Sequence, residues 1–80
     1  MEESKYIEII FREKPAKTRI YEVVSKNHGM GLGLIKWYGA WRQYCFFPYE
    51  GTIFNKECLN FIENFLIKEN DLYRGEKNNG

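Results

Sequence analysis

Leu32-Gly33-Leu34-Ile35-Lys36-Trp37-Tyr38-Gly39-Ala40-Trp41-Arg42-Gln43-Tyr44-Cys45-Phe46-Phe47-Pro48 decides the fold of this chain. Side chains alternate between two sets on either side of Gly39-Ala40, the period of two expected of strands. Leu34 to Tyr38 reads as one strand and Trp41 to Phe47 as the next. A two-residue Gly39-Ala40 loop places glycine first, which suits a type II′ hairpin turn. That register sets Tyr38 opposite Trp41, Trp37 opposite Arg42 and Ile35 opposite Tyr44. One face then carries Ile35, Trp37, Arg42, Tyr44 and Phe46. The other carries Leu34, Lys36, Tyr38, Trp41, Gln43, Cys45 and Phe47.

Two further strands precede this hairpin. Lys5 to Arg12 alternates Ile7, Ile9 and Phe11 with Tyr6, Glu8 and Ile10. Glu13 to Lys17 is a turn, since Pro15 has no N–H for a central ladder. Thr18 to Ser25 is rich in β-branched and aromatic residues and forms the second strand. Lys26 to Gly33, with three glycines around His28 and Met30, reads as a loop.

After Pro48 the period changes. Asn55 is a good N-cap, and Cys58, Leu59, Ile62, Phe65 and Leu66 recur on one helical stripe. The helix is expected from Lys56 to about Asn70, with a frayed polar tail from Leu72 onward. The expected fold is therefore α+β: a four-stranded antiparallel sheet (ββββα) with one C-terminal helix packed on one face. All 80 residues make one small domain, ordered over about residues 5–70.

One helix covers one sheet face. The set with Ile35, Trp37, Tyr44 and Phe46 is the more apolar and is expected beneath it. The opposite set is then open, and large aromatics there exceed what a one-sided core requires. Lys36, Tyr38, Trp41 and Gln43 are the candidate binding residues, with Arg42 beside them. Arg19 and Lys26 would extend a basic-aromatic patch if they share that face. The plainer reading of each aromatic is core, or a cross-strand pair bracing the hairpin.

Other chemistries find little support. His28 is the single histidine and lies in the glycine loop, so no Ser-His-Asp or Cys-His set can be assembled. Cys45 and Cys58 form no CxxC, and with one histidine they leave a zinc site incomplete. A Cys45–Cys58 bridge would require the helix to dock over that strand, and reduced thiols are the expectation. Gly29-Met30-Gly31-Leu32-Gly33 lacks the Walker lysine and a following helix. No cofactor, metal or enzymatic activity is expected. No apolar run is long enough for a membrane span, and a cytoplasmic setting is expected. Formal charge is +3 over residues 1–49 and −2 over 50–80, giving +1 overall. That is well short of a dedicated nucleic-acid binder.

The stretch from Lys17 to Pro48 resembles a family of small proteins of bacteria and their phages. The likeness is carried by Leu32-Gly33, Ile35-Lys36-Trp37-Tyr38 and Trp41-Arg42-Gln43-Tyr44-Cys45-Phe46-Phe47-Pro48, followed by a Cys58-Leu59 helix. The resemblance implies a setting in which small proteins act by binding, such as inhibition of a host defence protein. The expected partner is a host protein or a small anionic ligand. The alternatives are single-stranded nucleic acid, stacked on the same aromatics, and a homodimer formed by the aromatic face.

Overall fold

A computed structural model describes residues 4–79, with side chains through residue 75; Met1, Glu2, Glu3 and Gly80 lie outside the described residues. Four strands, β1 (Ile7–Glu13), β2 (Ile20–Ser25), β3 (Gly31–Tyr38) and β4 (Gln43–Pro48), precede one helix, α1 (Lys56–Asn79). The strands form an antiparallel sheet in the order β1-β2-β3-β4. The fold is α+β, with α1 packed on one face of the sheet.

Strand alternation and register decide what lies under the helix. Ile9 pairs with Val23, Tyr21 with Ile35, and Ile35 with Phe46, so these residues share a face. With Ile7, Trp37 and Tyr44 they meet the helix stripe at Cys58, Ile62, Phe65, Leu66 and Tyr73. Val23 and Ile35 are fully buried at the centre. Asn55 starts the helix as its composition suggests: its side-chain oxygen accepts from Cys58 N–H at 2.8 Å. Cys45 and Cys58 are free thiols on opposite sides of the sheet, so the docked helix gives them no route to a bridge.

The hairpin turn differs from the two-residue expectation. Tyr38 pairs with Gln43, Trp37 with Tyr44 and Ile35 with Phe46. Gly39, Ala40, Trp41 and Arg42 make a four-residue loop, closed by Trp41 N–H to Tyr38 O (3.2 Å) and Arg42 N–H to Gly39 O (3.3 Å). The residue that takes positive φ is Arg42 (53°), not Gly39. The register has moved by two residues. An even shift keeps each strand residue on its expected face, while Trp41 and Arg42, expected at the start of the last strand, lie in the turn.

Two boundaries also move. β3 begins at Gly31, inside the expected loop, because Val24 pairs with Gly31 across a register shift. A Cβ at Gly33 would lie 2.6 Å from the Phe46 ring and 2.7 Å from the Phe47 carbonyl oxygen, so glycine lets β3 and β4 close together here. The helix runs past Asn70 to Asn79. Its extra turns are held by Tyr73, whose ring lies 4.3 Å from that of Trp37. One aromatic contact leaves no periodic signal in the sequence.

Polar groups fasten the helix to the sheet. Tyr21 O–H donates to the buried Glu69 carboxylate at 2.8 Å. Asn70 Oδ1 accepts from Tyr44 N–H at 2.7 Å. Burial and the bond to Glu69 raise the Tyr21 phenol above its ordinary range. The neutral phenol is thus favoured in the folded state. Its stabilisation is present below the unfolded tyrosine pKa of about 10 and is lost as pH rises above it.

Three outcomes are expected from denaturant titrations. Gly33→Ala should destabilise by about 1–3 kcal/mol through overpacking against β4. Trp37→Ala should cost about 3 kcal/mol or more as a core truncation, and Tyr38→Ala far less. Tyr21→Phe should be less stable than wild type near neutral pH, leaving Glu69 without its donor. That difference should shrink as pH climbs past about 10.

Candidate functional site

The face away from α1 is built by the alternate strand residues. β1 and β2 contribute Glu8, Ile10, Arg12, Glu22 and Val24, while β3 and β4 contribute Leu34, Lys36, Tyr38, Gln43, Cys45 and Phe47. Aromatic side chains gather on the β3–β4 half. Tyr38 makes edge-to-face contacts with Trp41 (centroids 5.1 Å) and Phe47 (5.9 Å). Lys36 Nζ stands 4.8 Å above the centre of the Phe47 ring, a cation–π contact. Trp41, carried by the turn, is 67% exposed. None of these aromatics belongs to the core beneath the helix.

A polar cluster occupies the β1–β2 half. Arg12 grips Glu22 through Nε (3.0 Å) and a terminal nitrogen (2.8 Å). Tyr49 O–H donates to the other Glu22 oxygen at 3.1 Å. Partial burial and that bond push the Tyr49 phenol up. Gly31 makes room for the arrangement, since a Cβ there would lie 2.4 Å from Glu22 Oε2. Burial also pushes up the Cys45 thiol, which sits opposite Lys36. A raised thiol pKa disfavours the nucleophilic thiolate.

Lys36, Tyr38, Trp41 and Gln43 are brought together at one end of the open face. Arg42 lies beside them in the turn, exposed and with left-handed backbone. The other two candidates do not join. Lys26 follows β2 at the far end of the sheet, where its N–H donates to Tyr6 O at 2.9 Å. Arg19 N–H donates to the hydroxyl of Tyr44, a core residue, and its charge acts on Tyr21 on the helix-covered side. One reason covers both: strand ends and faces cannot be assigned to cations that flank a strand without the register.

Nothing in residue order alone singles out Glu22, Arg12 and Tyr49 as a cluster. Ile10 pairs with Glu22, which places Arg12 diagonally across from it on the same face. Opposite charges at a diagonal cross-strand position are a legible signal once that register is known. Tyr49 reaches Glu22 from beyond β4 and left no local signal.

Among the described residues, no three His, Cys, Asp or Glu side chains group as a metal site. No helix among them is long and apolar enough to cross a membrane. No protein-family model and no solved structure matches the chain. The chain is 31% identical over 64 residues to an uncharacterised 9.3 kDa protein of Acholeplasma phage L2, covering 79% of this chain and 82% of the phage protein. That likeness spans most of both chains, and the chain belongs to the same family of small phage proteins.

Proposed function

We propose that the chain is a non-enzymatic binding protein that engages a host protein through the open face of its β3–β4 hairpin. The observation that carries this reading is Trp41, 67% exposed and braced edge-on by Tyr38. A rigid indole held outside the core costs little side-chain entropy to bury, and such residues dominate protein interfaces. Lys36, Gln43 and Arg42 supply a polar rim around it. The hairpin motif from Leu32 to Pro48 is the signature we assign to this behaviour. The phage source of the relative favours a host protein in the cytoplasm, with counteraction of a defence protein as its most concrete form.

The geometry favours a protein over the other partners. Bases stack on open ring faces, whereas Tyr38 meets Trp41 and Phe47 at 88° and 75°, edge to face. Of the cations on the open strands, Arg12 is committed to Glu22 and Lys36 to the Phe47 ring. That leaves Arg42, exposed in the turn, as the main cation beside the cluster, a modest charge for phosphate or a small anion. The non-enzymatic part rests on the single histidine, which lies outside the cluster in the turn after β2, and on the raised Cys45 thiol.

The test is affinity capture from bacterial lysate with wild type, Trp41→Ala and Tyr38→Ala, partners being identified by mass spectrometry and affinity measured on the isolated partner. Trp41→Ala is expected to weaken binding by about 2 kcal/mol or more, as an interface anchor does. Affinity should change little with added salt. Capture of nucleic acid that is released as salt rises would instead establish the nucleic-acid reading. Equal retention by wild type and Trp41→Ala would remove the hairpin face from the function.

A further inference from the structure

The two edges of the sheet are unequal. Tyr49 N–H donates to Leu32 O, so alternation turns the backbone groups of Tyr44, Phe46 and Pro48 outward from β4. This edge is blocked: Asn70 takes the Tyr44 N–H at 2.7 Å, and Pro48 has none. On β1, Lys26 N–H donates to Tyr6 O, so Ile7, Ile9 and Phe11 turn their backbone groups outward. The Ser4 hydroxyl accepts from Ile7 N–H at 3.3 Å. Among the described residues nothing meets the N–H and C=O of Ile9 or Phe11. Phe11 is also 54% exposed, at the margin of the helix-covered face.

Exposed edges are usually guarded by charges that would repel an incoming strand. On its open face β1 carries Glu8 and Arg12, of opposite sign and each two residues from Ile10; Arg12 lies at the register shift between Phe11 and Glu13 and bridges Glu22 of its own chain. We infer that β1 pairs antiparallel with β1 of a second copy about a two-fold axis at Ile10. Ile9 then exchanges both backbone hydrogen bonds with the second copy's Phe11, and Phe11 does so with the second copy's Ile9. Glu8 lies opposite the second copy's Arg12, once on each side of the axis, and adds a second carboxylate to the guanidinium that already bridges Glu22. Each half-exposed Phe11 ring gains an isoleucine neighbour. The charges that would guard the edge against other strands attract in this register. Shifting by one pair to centre on Ile9 sets Glu8 against Ile10 and loses both ion pairs.

The product is an eight-stranded sheet with both helices on one side. Both aromatic hairpins lie on the other side, about 30 Å apart at ordinary strand spacing. Two binding faces on one side make the assembly bivalent towards a dimeric or repeating partner. This interface uses no residue of the hairpin cluster, so it stands or falls separately from the proposed function.

Sedimentation of the full chain across a concentration series into the millimolar range should show mass rising from one chain to two. In a Cys45→Ala background, Ile10→Cys should form a disulfide-linked dimer on mild oxidation, because the axis brings position 10 of both copies together. Glu8→Cys in that background should not, its two copies being about 14 Å apart. Glu8→Arg, which opposes like charges twice, should weaken association about tenfold, while thermal melts check that each variant folds. A single-chain mass throughout the series overturns the inference. So does cross-linking at position 8 as fast as at position 10. A dimer that withstands Glu8→Arg and is lost in Tyr38→Ala/Trp41→Ala would place the contact on the hairpin and overturn it as well.

Discussion

Tyr44 and Trp37, packed beneath the C-terminal half of α1, are the contact from which the rest of the structure follows. The Trp37 ring meets those of Tyr44 and Tyr73 at 5.6 and 4.3 Å, and those two lie 6.5 Å from each other, so the three make one cluster. Tyr44 also gives its N–H to Asn70 and accepts from Arg19 N–H through its hydroxyl. These contacts tie the last strand, the start of β2 and the helix into one unit. They fix which face of the sheet is core. Once Trp37 and Tyr44 point to the helix, the pleat turns Lys36, Tyr38, Gln43 and Cys45 the other way.

That division gives the open face two halves with different physics. On the β1–β2 side, Arg12, Glu22 and Tyr49 satisfy one another, and their charge is spent on holding the segment after β4 against the sheet. On the β3–β4 side the contacts are among aromatic rings and a lysine, with the largest ring left in solvent. Aromatic pairs of this kind contribute about 0.5–1.5 kcal/mol beyond their buried area. They stiffen the hairpin while leaving Trp41 available to a partner. The helix guards one edge of the sheet through Asn70 and leaves the β1 edge open at Ile9 and Phe11.

Much of this was legible in residue order. The alternation of Ile7, Ile9 and Phe11, the aromatic hairpin and the stripe Cys58, Leu59, Ile62, Phe65 and Leu66 specify four strands and a helix with one apolar side, although Leu59 itself is half exposed at the edge of that side. Asn55 marks the helix start because capping is a local interaction between a side chain and a backbone three residues on. The turn departs from the two-residue form because Gly39 invites positive φ, while the loop that closes the hairpin places Arg42 there instead. The faces survived because side-chain direction has period two and the error was an even number of residues.

The sequence by itself determined the elements, their order and the grouping of side chains into two faces, since these depend on neighbours in the chain and on the periods of strand and helix. Only the tertiary structure decided what joins residues far apart. It placed Tyr73 on Trp37, which extends the helix, and Glu69 on Tyr21 across 48 positions. It separated Arg19 and Lys26 from the hairpin cluster, and it put Asn70 on one sheet edge while leaving Ile9 and Phe11 open on the other. Such pairings depend on register and on how helix and sheet pack, and neither is written in any local stretch of residues.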